Sequence, residues 1–348
     1  MRSRDRLVVL GSVPPPRPTT NPYSIMLIDA IRAESDVEFH DFSWRRALLG
    51  SYDVFHAHWP ESLMGGRWPM RLVRQVLLFL LVARITLTGR AVVRTQHNVG
   101  QPDGLSITER WLLTAFENRT TLFIVLNDHT PLPAGAPRVL IPHGHYRDWY
   151  SSYTRSDPEP GRIAFYGGIR RYKGVEQLIE AFRDTSADHP ELRLSIAGRP
   201  SSDELAHTLE GLVGDDVRVD ARFGFVPTDE LVSIATSAQL IVLPYRFMHN
   251  SGAILAALSL DRPVLVPDNP VARDLASEVG PGWIWLFTDG LTATDLEATM
   301  SDLARSTERE LPALEARDWD DVGREHVAAF RQAYVIKHPR RRQKAAVA

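Results

Sequence analysis

The stretch Phe165-Tyr-Gly-Gly-Ile-Arg-Arg-Tyr-Lys-Gly-Val-Glu-Gln-Leu-Ile-Glu-Ala-Phe182 joins an apolar run, a glycine-containing turn and an amphipathic pattern. Residues 162–166 predict a buried strand, and the apolar residues from Val175 to Phe182 recur at i, i+3, i+4 and i+7, which predicts a helix. The turn between strand and helix favours anions, because free N–H groups and the helix dipole both attract negative charge. We therefore predict an α/β fold with an anion site at Arg170 and Lys173.

Lysine is rare in this chain, which carries 37 arginines and three lysines. Two of the lysines, Lys337 and Lys344, lie in a basic tail, so Lys173 is the single lysine of the predicted folded body. A lysine offers a compact point charge, whereas an arginine offers a flat fork of five donors. The position of Lys173 beside the glycine turn therefore indicates a specific role for its ammonium group.

Length and composition limit the classes of protein that this chain can belong to. Its 348 residues suffice for two domains, and a net charge of −3 gives no overall attraction to nucleic acid. The absence of cysteine excludes disulfides and thiolate chemistry and fits a cytoplasmic location. The longest apolar run, Val76–Ala83, is far shorter than a membrane helix needs, and we find no signal peptide.

Short β-rich runs alternate with helical patterns along the whole chain, which is typical of parallel sheets. We predict an N-terminal acceptor-binding domain over residues 1–155 and a C-terminal domain over residues 156–320, both doubly wound and Rossmann-like and facing a ligand cleft. A polar linker, Ser151–Gly161, joins them. A helix over 321–336 is expected to pack back toward the N-terminal domain, and residues 337–348 are expected to form a disordered basic tail. The predicted strands are Arg6–Leu10, Val37–His40, Asp53–Ala57, Ala91–Thr95, Leu122–Leu126, Arg138–Ile141, Arg162–Tyr166, Leu192–Ala197, Val217–Val219, Leu240–Leu243 and Pro263–Val266.

A second anion site is predicted where the strand ending at Leu243 leads into Asn250-Ser-Gly-Ala-Ile-Leu-Ala-Ala-Leu258. Ser251 and Gly252 stand at the start of an apolar helix, where serine can cap and glycine allows close backbone approach. Two helix N-termini in one domain could hold the two phosphates of a diphosphate. The alternative is an ordinary N-cap before a core helix.

Histidines stand at the ends of three predicted strands of the first half: His58, preceded by His56, then His97, then His143 and His145. Their spacing lacks the helical i, i+4 pattern of a zinc motif, so we predict no metal site. Each could be a structural histidine. His97, His58 and the nearby Glu61 are the candidates for a general base, and a histidine could also hydrogen-bond a sugar hydroxyl.

The helix predicted over Met70–Thr86 is apolar nearly all round at its centre and has arginines at its ends. One interpretation is a buried helix whose arginines reach solvent. The other is a surface helix that contacts anionic lipid.

Several of these motifs resemble those of the GT-B nucleotide-sugar glycosyltransferases of the family-4 type. The matching segments are Gly167–Gly174, Leu178–Phe182, Ile196–Gly198, Gly224–Leu231, Ile241–Tyr245, Pro263–Pro267, Thr95–Asn98 and Ile141–Gly144. The segment His56-Ala-His-Trp-Pro60 is similar to a feature of inverting bacterial exopolysaccharide mannosyltransferases. The resemblance covers most of the chain, and the C-terminal half is its specific part.

The resemblance implies roles for individual residues. Arg170 and Lys173 would bind the donor diphosphate, and His97 would lie near the transferred sugar. Gly168, Ser251 and Gly252 complete the implied diphosphate site. The residues expected near the nucleotide or sugar are Gly198, Arg199, Phe225, Val226, Tyr245, Asn250 and His143.

The chain also departs from the pattern of these glycosyltransferases. Gly168 occupies the place where many relatives carry the cationic arginine, and Arg170 takes that role from two positions on. Retaining relatives carry two glutamates eight residues apart across the second anion loop; here Met248, His249 or Asn250 and then Ala256 stand in those places. The donor sugar and the stereochemistry therefore stay open.

The sequence as a whole predicts an enzyme that moves a hexose from GDP-mannose or a UDP-sugar to an acceptor hydroxyl. It would need no cofactor, since cations and helix dipoles can stabilise the leaving diphosphate. The acceptor is either lipid-linked, with peripheral contact of the protein at the inner face of the membrane, or a soluble glycoside. The alternatives are a catalytically silent protein that binds a nucleotide sugar or a partner enzyme, a nucleotide-sugar epimerase, and a phosphorylase with a pyridoxal cofactor on Lys173.

Overall fold

The computed structural model describes residues 6–185, 189–305 and 309–339. The chain packs as two compact units, one formed by residues up to Gly144 together with those from Ala316 onwards, the other by His145–Glu315. The sequence predicts boundaries at 155/156 and 320/321. The difference arises because the short helix after Gly144 hydrogen-bonds within the second unit: Tyr146 N donates to Ser259 Oγ at 2.8 Å.

The strands of the described residues all pair in parallel. They are β1 Leu7–Gly11, β2 Val37–His40, β3 Val54–Ala57, β4 Ala91–Gln96, β5 Leu122–Val125, β6 Arg138–Leu140, β7 Arg162–Tyr166, β8 Arg193–Gly198, β9 Val219–Phe223, β10 Leu240–Val242, β11 Val264–Pro267 and β12 Ile284–Phe287.

Helices connect these strands. They are α1 Pro22–Ala33, α2 Trp44–Leu49, α3 Met70–Thr88, α4 Ile107–Glu117, α5 Arg147–Tyr150, α6 Val175–Arg183, α7 Asp203–Val213, α8 Thr228–Ser237, α9 Gly252–Ser259, α10 Pro270–Val279, α11 Ala293–Arg305 and α12 Trp319–Lys337.

Each unit is built on one six-stranded sheet, so the predicted α/β class is confirmed. The strand order is β2-β1-β3-β4-β5-β6 in the first unit and β12-β11-β10-β7-β8-β9 in the second. In each sheet the strand order changes direction once: between β1 and β3 in the first unit, and between β7 and β10 in the second. Ligands of open α/β sheets bind beyond the carboxyl ends of the strands at such reversals.

The strand predictions differ from the structure in two places. We placed a strand at Val217–Val219, whereas β9 runs over Val219–Phe223. The cause is that β9 is an edge strand whose alternate residues face solvent, so it lacks a continuous apolar run. We also missed β12, whose residues are mostly half-buried at the other edge of the sheet.

Helix α12 belongs to the first unit, although it follows the second in sequence. It packs against α1 and against β4, β5 and β3. Gly323 makes this packing close, because a Cβ there would lie 2.7 Å from the backbone oxygen of Ala30. The predicted tail begins at Lys337, which ends α12, and residues 340–348 of that tail lie outside the described residues.

Helix α3 is a surface helix, and the interpretation of α3 as a buried helix is wrong. One side packs against α2, α4 and the 3-10 turn Pro60–Met64, and it buries Leu78, Leu81, Val82 and Ile85. The opposite side is apolar and roughly half exposed; its residues are Met70, Leu72, Val73, Val76, Phe79 and Leu80. No helix of the described residues is long and apolar enough to cross a bilayer.

Candidate active site

In the second unit, the two predicted anion loops lie side by side at the reversal of the sheet. The turn 167–174 follows β7, and the loop that leads to α9 follows the neighbouring strand β10. Arg246 N donates to Tyr172 O at 2.8 Å, which ties one loop to the other. The structure therefore brings together two segments that are far apart in sequence.

Glycines shape the turn after β7 through close backbone contacts. Gly174 has a φ of +65°, and a Cβ there would lie 2.1 Å from Pro244 O. A Cβ on Gly198 would lie 1.8 Å from Gly167 O, so the end of β8 packs directly against the backbone of the turn. Gly168, by contrast, has nothing within 4 Å of its Cβ position. Its backbone is open to a ligand such as a phosphate.

Lys173 is half-buried beneath this turn. Its Nζ lies 5.1 Å from the centre of the Tyr245 ring. Burial, together with the neighbouring charge of Arg170, lowers the pKa of Lys173 to about 8. The side chain of Arg170 is exposed. An anion in this place would relieve the repulsion between the two cations and restore the pKa of Lys173.

Helix α9 starts at Gly252, but the serine before it does not act as we expected. Ser251 makes no side-chain capping hydrogen bond, so the interpretation of Ser251 as an ordinary N-cap is wrong. The first N–H groups of a helix need partners from outside when no side chain caps them. The N-terminus of α9 is therefore suited to an anionic group, as is that of α6, which also lacks a side-chain cap.

The other residues predicted near the nucleotide lie at the ends of neighbouring strands. Ile169 N donates to Arg199 O, and Gly224 N donates to Gly198 O, so β8, β9 and the glycine turn share one edge. Phe225 is largely exposed there, Val226 and Asn250 are partly buried, and Tyr245 is buried. Most of the predicted donor residues thus collect at the carboxyl ends of β7–β10.

In the first unit, His58 and His97 form a pair at the ends of β3 and β4. His58 Nδ1 and His97 Nε2 are 2.9 Å apart. The ring of Trp59 stacks on His97 with centres 4.4 Å apart, and Tyr23 contacts both histidines edge-on. His58 N donates to Ser12 Oγ, which fixes the pair to the loop after β1 at the reversal of this sheet.

Further buried histidines surround this pair. His56 contacts Thr95 Oγ1 at 3.0 Å, and His143 lies against Tyr23 with ring centres 4.3 Å apart. Burial lowers the pKa of His97 to about 3 and the pKa values of His143 and His326 to about 4. The cluster is therefore neutral at physiological pH. His143, which is predicted to lie near the nucleotide or sugar, is a residue of this unit.

A narrow pocket opens beside the histidine pair. Its lining includes Glu61, Arg94, Gln96 and His97, and its free volume of about 10 Å³ admits a single water-sized group. Arg94 is only 8% exposed, and its Nε and Nη1 atoms make no hydrogen bond. Gln96 Oε1 is likewise buried without a hydrogen bond. Unpaired buried polar groups are costly, so these atoms indicate a place for a polar ligand.

Tyr23, Arg94 and His326 were missed by the sequence analysis. Tyr23 begins a helix that follows a proline-rich loop, and His326 lies on α12, far downstream of the other members of the cluster. Arg94 could have been found, since a charged residue inside an otherwise apolar central strand is unusual. Within the described ranges, no group of three or more His, Asp or Glu side chains is arranged to hold a metal.

Comparisons with known proteins show the family to which this chain belongs. A family model described as Glycosyl transferases group 1 matches residues 151–310. The GDP-mannose:glycolipid 4-beta-D-mannosyltransferase of Xanthomonas campestris pv. campestris is 38% identical over 331 residues, which are 94% of this chain and 93% of that protein.

Solved structures of low identity show the same fold. Anabaena HepE in complex with UDP has 15% identity and a TM-score of 0.59, with coverage of 94% of this chain and 98% of that chain. Sucrose-phosphate synthase from Thermosynechococcus elongatus has 17% identity and a TM-score of 0.56, with coverage of 99% and 100%. The chain belongs to the group 1 glycosyltransferases of GT-B fold, and it is a hexosyltransferase that takes its sugar from a nucleotide-sugar donor.

Proposed function

We propose that this enzyme transfers mannose from GDP-mannose to a saccharide hydroxyl of a glycolipid, with inversion at the transferred carbon. The observation that carries the proposal is the 38% identity, over nearly the whole chain, to a mannosyltransferase whose name specifies this donor, a glycolipid acceptor and a β linkage. Retention of the configuration would be unusual without the two glutamates of retaining relatives, in whose places this chain has Met248, His249 or Asn250 and then Ala256.

The donor diphosphate is proposed to bind at the turn after β7 and the N-terminus of α9. Lys173 and Arg170 supply positive charge, and Gly168 and the uncapped first turn of α9 supply free backbone N–H groups. These groups would stabilise the negative charge that develops as the diphosphate leaves. We therefore propose that transfer needs no resident metal or organic cofactor.

The test is a transfer assay with the purified full-length chain. Radiolabelled GDP-mannose, UDP-glucose and UDP-N-acetylglucosamine are offered separately with a series of synthetic decyl glycosides as acceptors. We expect transfer from GDP-mannose and a β-linked product by NMR. Transfer from a UDP-sugar alone, or an α-linked product, would contradict the proposal.

The acceptor is proposed to be reached at the cytoplasmic face of a membrane through the apolar side of α3. Trp68 precedes this helix and is 81% exposed, and Ile107 and Trp111 of the neighbouring α4 extend the same apolar surface. Contiguous exposed apolar patches mark contact sites for proteins or membranes. Aromatic and aliphatic side chains on a surface helix favour the interface of a bilayer.

The arginines of α3 are engaged in contacts within their own unit and are therefore not expected to bind anionic lipid. Arg71 binds Glu109, Arg74 donates to Gly65 O, and Arg84 donates to Ala47 O at 2.9 Å. These cations hold the helix to its own unit, so burial of apolar surface would provide most of the membrane affinity. The contact of α3 should consequently persist at high salt, whereas any contribution of the basic tail should be screened.

Vesicle flotation at low and at high NaCl concentration tests this surface. We expect the wild-type chain to float with vesicles of mixed phosphatidylcholine and phosphatidylserine under both conditions. A Leu72→Gln, Val76→Gln, Phe79→Gln variant should stay at the bottom at high salt. The matched control, Val217→Gln with Leu311→Gln, removes exposed apolar side chains of the second unit and should float like wild type. Equal flotation of all three proteins would contradict the role of α3.

A further inference from the structure

Transfer with inversion needs a base that removes the proton from the acceptor hydroxyl, and the pocket of the first unit offers two kinds of base. His97 is already engaged, since its Nε2 atom lies 2.9 Å from His58 Nδ1. Burial lowers the pKa of His97 to about 3, so protonated His97 would be costly to form. A group with so low a pKa is a weak base at neutral pH.

Glu61 differs from His97 in its exposure and in the direction in which its pKa is shifted. It lies on the 3-10 turn directly after β3, it lines the pocket beside His97, and its side chain is only partly buried. Burial raises the pKa of Glu61, and the charge of Arg94 partly offsets that rise. Desolvation makes a carboxylate a stronger proton acceptor than a fully hydrated one.

Arg94 lines the same pocket, and its positive charge stabilises the ionised form of the Glu61 carboxylate. Its guanidinium is buried there and forms an ion pair with Glu117, in which Nη1 lies 3.6 Å from Oε1. Its Nε and Nη1 atoms nevertheless make no hydrogen bond. A buried, incompletely paired cation attracts a carboxylate or an alkoxide strongly, because little water screens it.

Titratable and charged groups lie on every element that packs against the turn of Glu61. They are the neutral His58 after β3 and His97 after β4, Arg94 on β4, Glu109 and Glu117 on α4, and Arg71 and Arg74 on α3. Glu109 is neutralised by Arg71. Arg94 is consequently the cation that acts on Glu61.

We propose that Glu61 is the catalytic base of the transfer and that Arg94 is its positioning residue, while the neutral His58–His97 pair hydrogen-bonds the acceptor. As the acceptor oxygen bonds to the anomeric carbon, its proton passes to a Glu61 oxygen. The bond from the anomeric carbon to the diphosphate breaks, and its electron pair leaves with the diphosphate. Solvent later takes the proton from Glu61. This assignment rests on the proposed inverting transfer.

The decisive measurement is the pH dependence of kcat/KM for Glu61→Gln, Glu61→Asp and His97→Gln, with GDP-mannose and the decyl glycoside that the wild-type enzyme uses. We expect Glu61→Gln to lower turnover by about 10²–10⁴-fold and to abolish the acidic limb of the profile. Glu61→Asp should retain the limb with partial activity. His97→Gln should keep the limb and lose activity less than tenfold.

Binding of GDP separates this assignment from the donor site. Glu61→Gln should bind GDP within twofold of wild type by calorimetry, because the change is in the first unit. If the wild-type enzyme binds GDP but transfers no sugar, the proposed function fails and this assignment with it. If wild type transfers sugar and Glu61→Gln keeps more than a fifth of the activity, Glu61 is not the base.

Arg94→Met tests the positioning role. Loss of the cation should raise the pKa of Glu61 and move the acidic limb to higher pH, whereas a purely structural role would lower activity without moving the limb. The thermal midpoint of each variant is measured alongside. An unmoved limb in a folded Arg94→Met protein would overturn the role of Arg94.

Discussion

The two units form their polar sites from different kinds of group. In the second unit, backbone contacts of Gly174 and Gly198 shape a turn that presents Lys173 and free N–H groups. In the first unit, buried neutral side chains such as His58 and His97 pack against each other around a narrow pocket. A local loop motif can hold a positive charge, whereas a neutral hydrogen-bonding site needs side chains from many parts of the chain.

The largest expected effect concerns the glycines of the second unit. Gly198→Val would place a Cβ 1.8 Å from Gly167 O, so the glycine turn must move, and we expect GDP binding to be lost. Gly168→Ala is the matched control for stability, because its Cβ would meet nothing within 4 Å. For both variants, calorimetry measures GDP binding and thermal unfolding measures stability. Normal GDP binding by Gly198→Val would show that backbone contacts do not shape the site.

The second-largest expected effect is that acid lowers the stability of the first unit. The pKa values of its buried histidines, His56, His58, His97, His143 and His326, are lowered below the usual 6.5. The unfolded chain therefore binds more protons, and stability present above pH 6.5 is lost as pH falls toward 4. Each histidine contributes at most about 1.4 kcal/mol per pH unit.

Hydrogen exchange of the full-length chain between pH 7 and pH 5, corrected for the intrinsic rate, measures this loss in peptides of β3 and β4. The control is His143→Phe, which removes one titrating ring and should reduce the pH slope. Protection in β3 and β4 that does not change with pH would contradict the neutral state of the cluster.

Removal of the lysine charge in the second unit should have a smaller effect. Lys173→Ala should weaken GDP binding by about 1.5–3 kcal/mol, the range for hydrogen bonds to charged groups. Arg170→Lys should weaken it less, through loss of the two-pronged contact. The measurement is calorimetry of GDP, with Arg183→Lys at the far end of α6 as the control. Unchanged affinity in both variants would remove the diphosphate from this turn.

The smallest expected effect is the pH dependence of donor binding. Because the pKa of free Lys173 is about 8 and a bound diphosphate favours the charged form, affinity for GDP-mannose should be constant below pH 8. Above pH 8 it should fall by up to tenfold per pH unit. Lys173→Met should bind weakly at every pH and show no such fall. A fall that remains in Lys173→Met would assign the titration to another group.

The exposed side of α3 illustrates why sequence alone left some questions open. An all-apolar centre in Met70–Thr88 fits both a buried helix and a surface helix, because periodicity does not tell which neighbours cover the helix. The structure shows that α2 and α4 cover only one side of α3, so α3 is a surface helix. Arg71 and Arg84, which stand toward the ends of the predicted helix, are both engaged within the unit.

The α/β class, most strand positions and the glycine turn with Lys173 can be predicted from the amino-acid sequence, because they depend on local periodicity and on contacts within a few residues. Folding of the whole chain was needed to bring Tyr23, Arg94 and His326 to the strand-end histidines and to leave α9 without a serine cap. Burial and pairing of polar groups depend on distant segments such as α12, which belongs to the first unit although the whole of the second precedes it in sequence.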